Sequence, residues 1–245
     1  MRGALECGRW RGALTRSLVP ALFGLAAVIT TASAVRGVAH AFGQPTTHAW
    51  LDAGYDVLRA GVAVAFAFFT IGRAQPRRRA RNPLAYAACA AAMTSVILFA
   101  QPPRSTPEGV ILAGEAIAVG AYLWLLASVI TLGRCFGVLP EARGLVTRGP
   151  YRIVRHPVYL GEIGACIGLA VASPSPRNAA ALAFVIAAQS LRMRLEEGAL
   201  IDAFPGYAAY AAQTPRLVPR LVSPRRTPAA AGPRLSTSPA RVPTR

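Results

Sequence analysis

Apolar residues along this chain gather into long runs separated by polar breaks rich in arginine, and that alternation predicts membrane-spanning helices. Residues 18–35, LVPALFGLAAVITTASAV, carry no charge and approach the roughly 20 apolar residues that cross a hydrocarbon core. Residues 55–72 form a second run with Asp56 and Arg59 in its first turn, one helical turn apart and able to pair. Residues 83–103 hold no charge, and residues 109–133 hold only Glu115. Two shorter runs, Pro157–Ala172 and 178–191, are joined by SPSPR, a proline and serine turn that predicts a helical hairpin. Both are short for a span, so tilt or local thinning of the bilayer is expected. The predicted fold is all-α: a polytopic membrane protein of about six transmembrane helices, the last two a short hairpin.

Charge orients this arrangement. All 27 basic residues are arginine, set against ten acids for a net charge of +17. Four precede the first run, five lie in 73–81, five in 134–155 and nine from Arg192 onward. The intervening loops hold only Arg36, Arg59, Arg104 and Arg177. Cytoplasmic loops carry the excess of positive charge, so those four arginine-rich regions are expected in the cytoplasm. A nucleic-acid role is not favoured, because the arginines fall between apolar runs and form no stripe on a soluble face. Mean hydropathy of +0.39 agrees with a membrane protein. The first run, preceded by arginines and containing Ala32-Ser33-Ala34, also fits a cleaved secretory signal, and that alternative stays open.

Three parts of the chain are expected: N-terminal transmembrane helices at 1–131, a core at 132–222, and a tail at 223–245. The tail is dense in Pro, Ser, Ala and Arg without apolar periodicity and is expected to be disordered. Cys7, Cys89, Cys135 and Cys166 stand apart from one another and from histidines at ligand spacing, so neither a disulfide framework nor a metal site is expected. His40 and His48 read as solvated loop residues. Nucleotide, zinc-protease and serine-hydrolase motifs are absent.

Candidate chemistry gathers in two pieces flanking the hairpin, LGRCFGVLPEARGLVTRGPYRIVRHPVYLG and RMRLEEGALIDAFPGYAAYAAQTPRLVPRL. A hairpin returns the chain to the side it left, so the two should meet. Together they offer Tyr151, Arg155, His156, Tyr159, Arg192, Glu196 and Glu197 to one pocket. Each also has an ordinary reading. The cations could anchor the hairpin at the interface, and the two glutamates could pair with Arg192 and Arg194 on the helix surface. Glu115 and Glu162 lie inside apolar runs, where a carboxylate is costly unless paired or neutral.

The order LVTRGPYRIVRHPVYLG, apolar hairpin, RMRLEEGALIDAFPGYAAY, PRLVP resembles the C-terminal core of the isoprenylcysteine carboxyl methyltransferase family and its phospholipid methyltransferase relatives. The likeness covers residues 132–221. It implies a helical membrane enzyme that transfers a methyl group from S-adenosylmethionine, held in a cytosol-facing pocket, to a lipophilic acceptor arriving from the bilayer. By motif, Leu145, Val146, Tyr151, His156, Pro157, Val158, Tyr159 and Glu196 would line the cofactor, and Arg192 would hold or orient the acceptor. Only helix register separates Glu197 from Glu196. One departure is Pro205, where a glycine usually follows the phenylalanine, in a stretch one residue shorter than the common pattern.

The expected reaction is carboxyl O-methylation of an isoprenylcysteine-like acceptor at a bacterial inner membrane. A phospholipid, amine or thiol acceptor remains open, as does a non-catalytic accessory protein of the same fold. An ionised carboxylate needs no general base, whereas an amine would need one, with Glu197 or Glu162 in reach.

Overall fold

The computed structural model describes residues 2–71, 74–79, 83–94, 98–100, 105–137, 139 and 141–219. The tail at 223–245 lies outside them. The described residues form seven α-helices: α1 (Arg2–Gly43), α2 (Thr47–Ile71), α3 (Pro83–Thr94), α4 (Glu108–Leu132), α5 (Pro157–Ala172), α6 (Pro176–Ala203) and α7 (Tyr207–Gln213). One antiparallel pair of two-residue strands, β1 (Arg78–Arg79) and β2 (Glu141–Ala142), ties the loop after α2 to the loop after α4.

The helical expectation holds, with changes in length that have physical causes. Among the described residues three helices are long and apolar enough to cross a membrane, at 20–43, 47–71 and 108–135. α3 and α5 have 12 and 16 residues, too few to span unaided. Length and composition therefore support three spans where about six were expected. α6 runs to 28 residues, past the expected 178–191, because RMRLEEGALIDA is built of good helix formers and has no proline. His40 and His48 lie in the last turn of α1 and the first turn of α2, not in a loop.

The helices pack in sequence order, α1 on α2, α2 on α4, α4 on α5 and α5 on α6, with α3 against α6. Val62, Leu125 and Val129 form one buried cluster between α2 and α4. Ile163, Cys166 and Val185 form another inside the hairpin. Val28, Val35, Phe68 and Ile71 remain exposed; water would penalise such outward faces, whereas lipid accepts them. Asp56 and Arg59 do pair, at 2.8 Å.

Hydrophobicity does not drive helices together within lipid, so close packing must. The α4–α5 seam supplies it through small residues. A Cβ at Gly161 would stand 2.7 Å from Leu125 Cβ and 3.0 Å from its Cα. One at Gly168 would meet the Gly114 carbonyl oxygen at 2.6 Å and the Ala118 nitrogen at 2.7 Å. Trp124 adds a fixed point by donating from Nε1 to the Pro157 carbonyl at 2.9 Å. At the hairpin tip the Ser175 hydroxyl caps α6 by accepting from Asn178 N at 3.2 Å. The fully buried Asn178 amide binds both the Ala100 and Ser173 carbonyls, tethering the chain after α3 to the hairpin.

Gly168→Ala should force α4 and α5 apart and cost about 1–3 kcal/mol. Gly120→Ala, where no atom lies within 4 Å of the new Cβ, should be neutral or slightly stabilising. Thermal unfolding in detergent compares the two.

Candidate functional site

The site sits where α4 ends and α5 begins, closed by the second half of α6 and the segment after α7. Gly149 turns the chain at φ +56° into a short 3-10 turn, Gly149–Arg152, that buries Tyr151. Proline at the first position of α5 fixes the helix start. This puts His156 just before the helix and Tyr159 one turn inside it. The segment after α7 then lies alongside, with Arg155 N donating to the Pro215 carbonyl at 2.8 Å and His156 N to the Arg216 carbonyl at 3.2 Å. The Tyr210 hydroxyl donates to the Tyr151 carbonyl at 2.7 Å. Burial pushes that hydroxyl up to about 12, partly offset by the charge of Arg155, so it remains a donor at any working pH.

Glu197 holds these pieces together. His156 Nε2 lies 3.0 Å from its Oε1, Arg155 Nη1 3.2 Å from the same oxygen, and the Arg216 guanidinium binds both carboxylate oxygens. Burial opposes ionisation of Glu197. The hydrogen bonds from His156 and Arg216 and the charges of His156 and Arg155 outweigh it, and the carboxyl falls to about 2.

Glu196, one residue earlier, points elsewhere. It accepts from the Tyr159 hydroxyl at 2.8 Å and lines two connecting spaces. The first, about 530 Å3, is bounded by Gly144, Leu145, Val146, Tyr151, Tyr207 and Glu196. The second, about 620 Å3, includes Tyr151, His156, Val158, Tyr159, Arg192 and Glu196. A third space of about 1070 Å3 opens between the membrane helices and shares Phe23, Phe66, Glu162 and Arg192 with the second. Arg192 and Glu162 thus stand at the neck between the cleft and the intramembrane cavity. The Arg192 guanidinium lies 4.9 Å over the Tyr159 ring, binds Gln189 Oε1 at 2.9 Å and comes within 3.7 Å of Glu162.

The structure therefore brings Leu145, Val146, Tyr151, His156, Val158, Tyr159, Arg192 and Glu196 around connected spaces. Pro157 lines none of these three; it is buried, and its carbonyl receives Trp124. Glu197 also stays out of them and acts as a tie. Sequence reasoning missed Arg216, although PRLVP had been singled out, and Gln189, which lies on the Arg192 face of α6 three residues earlier.

Residues 108–205 match the family model for phospholipid methyltransferases. Over 65 residues the chain is 42% identical to protein-S-isoprenylcysteine O-methyltransferase A of Arabidopsis thaliana, covering 24% of this chain and 33% of that protein. It is also 36% identical over 99 residues to the cobalt-zinc-cadmium resistance protein CzcN of Cupriavidus metallidurans, covering 38% and 46% of the two chains. With the nickel-cobalt-cadmium resistance protein NccN of Alcaligenes xylosoxydans xylosoxydans it shares 33% over 115 residues, or 40% and 53%. The matches span about half or less of these relatives' lengths.

A carboxyl lowered by folding contributes stability that is complete above its unfolded pKa, near 4.5, and is lost as pH falls through its folded value near 2. The unfolding temperature of the wild type should therefore drop between pH 4.5 and 2 more steeply than that of Glu197→Gln. At pH 7 that variant should already be weaker by on the order of 2 kcal/mol. Thermal melts of the two proteins across that range test the difference.

Proposed function

We propose that this chain is an S-adenosylmethionine-dependent methyltransferase acting on a lipophilic acceptor drawn from the membrane. The carrying observation is continuity: a polar cleft and an intramembrane cavity share walls, with Arg192 and Glu162 at the junction. The cleft suits the donor. Arg155 and Tyr207 stand side by side in its wall, polar groups placed to meet a polar ligand. When bound, S-adenosylmethionine supplies an electrophilic methyl group on a sulfonium.

The chain's own residues do the rest. Leu145, Val146, Tyr151 and Glu196 would hold the donor, Glu196 meeting its hydroxyls or ammonium. Tyr159 offers a π face to positive charge. His156, Pro157 and Val158 shape and back the cleft. Arg192 would orient the acceptor, and against an ionised carboxylate its planar fork would aim one oxygen without a base. Catalysis then rests on alignment and exclusion of water. For an amine or thiol acceptor, the residue in reach to take a proton is Glu162, since Glu197 is engaged by His156, Arg155 and Arg216.

The arginine bias supports an inner-membrane protein with this cleft on the cytoplasmic side. On this reading α3, α5 and the first half of α6 complete a membrane-embedded set of about six helices, and α1, whose Phe23 lines the cavity, would be kept as one of its walls.

Calorimetry of the full chain in detergent with S-adenosylhomocysteine should give saturable binding, weakened at least about tenfold by Glu196→Ala. Arg192→Lys should bind the product within about threefold yet lose roughly 100-fold in labelled-methyl transfer to membrane extracts. No heat of binding in protein that still unfolds cooperatively would favour the non-catalytic reading.

A further inference from the structure

A second cluster of reactive side chains lies at the opposite ends of α2 and α4. His48 and Asp52 stand one helical turn apart on α2, and Glu115 faces them from α4. His48 Nδ1 is 3.0 Å from Glu115 Oε1 and 3.5 Å from Asp52 Oδ2, and the three ligand atoms all lie within 4.8 Å of one another. They border an open pocket of about 1030 Å3. Seventeen residues of α4 separate Glu115 from Leu132 at the methyl-transfer cleft, which is about 25 Å of helix. On the arginine-bias topology the pocket faces away from the cytoplasm.

We propose that His48, Asp52 and Glu115 form a binding site for a divalent transition cation such as Zn2+ or Co2+. Donor spacing is the first argument. Two ligand atoms each about 2.1 Å from a tetrahedral ion are separated by about 3.4 Å, and the two nitrogen–oxygen distances bracket that value. Hydrogen bonding is the second. A protonated imidazole bridging two carboxylates would donate from Nδ1, yet Nδ1 and Glu115 Oε2 are both buried without a hydrogen-bond partner. Nδ1 lies 3.0 Å from one Glu115 oxygen and 3.5 Å from one Asp52 oxygen, so a single ion could be shared by all three groups.

Charge supplies the third argument. With neutral imidazole the three groups carry two negative charges, which a divalent ion cancels. The nearby cation Arg59 is committed to Asp56 at 2.8 Å. Without an ion, Asp52 and Glu115 would face each other with like charge across a partly desolvated gap. The donor chemistry fixes the class of ion. One imidazole and two carboxylates suit Zn2+, Co2+ or Ni2+, and no thiol lines the pocket to favour a softer ion. Asp52 is 60% exposed at its side chain, which leaves room for water to complete the coordination.

The site stands independently of methyl transfer, and its test does too. Detergent-purified full chain is titrated with Co2+, read by visible absorption, and with Zn2+, read by calorimetry. His48→Ala, Asp52→Asn and Glu115→Gln are run in parallel, each first shown to unfold cooperatively. One saturable equivalent, weakened tenfold or more in each variant, supports the site. An absorption band of tetrahedral or five-coordinate Co2+ that disappears in His48→Ala identifies the imidazole as a ligand. Failure of the wild type to bind either ion saturably overturns the proposal, as does binding unchanged across the three variants. S-adenosylhomocysteine binding by the same proteins should be unaltered, so loss of the donor site and absence of the metal site are read separately.

Discussion

The buried carboxylate of Glu197 is the interaction on which the cleft end of this protein depends. It joins α6 to the residues that open α5 through His156 and Arg155, and to the segment after α7 through Arg216. A buried ion pair offers little net stability compared with apolar packing, because desolvation consumes most of the attraction. Its value here is geometric. Three segments are held in one register by the charges and hydrogen bonds that meet on this carboxylate. Removing the carboxylate would leave the Arg155 and Arg216 guanidinium groups crowded together beside His156, so the arrangement has one strongly preferred form. The Arg155 and His156 backbone bonds to Pro215 and Arg216 then follow as a consequence.

The membrane imposes the complementary constraint. α4 and α5 cannot rely on water to press them together, so Gly114, Gly161 and Gly168 let the backbones approach. That seam carries Tyr159 and Glu162 on α5 to a fixed distance from α4. On its far side, the hairpin turn at Ser173–Ser175 and the Asn178 tether set where α6 starts. Since α6 is rigid, fixing its start also fixes where Arg192 and Glu196 stand, roughly four and a half and five and a half turns later. The location of the neck is therefore a result of helix length and close packing at residues that never touch it.

Much of this was legible in the sequence for physical reasons. Apolar runs, arginine blocks and the proline turn announce helices and a hairpin, and a hairpin must bring its flanks together. α3 was less legible: an uncharged run from 83 to 103 satisfies composition, whereas the described helix ends at Thr94. The division between Glu196 and Glu197 was beyond pattern reading. Successive residues on a helix point about 100° apart, so identical neighbours receive different environments, one toward Tyr159 and the cleft and the other toward His156, Arg155 and Arg216. His48 was passed over for a similar reason. Its companion Glu115 lies on another helix, and a lone histidine near a predicted loop gives no periodic signal.

Arg192 shows how one residue can belong to both halves of the molecule. A guanidinium is costly between membrane helices, and here the cost is offset by Gln189 on its own helix, Glu162 on α5 and the face of Tyr159. Two of those partners are side chains on α5, the same helix whose start is fixed by the Glu197 tie. Charge at the neck is thus stable only while the tie below it holds α5 in place. The polar cleft and the apolar cavity are consequently not separate features that happen to adjoin. The ion cluster that orders one end also makes a charged residue tolerable at the mouth of the other.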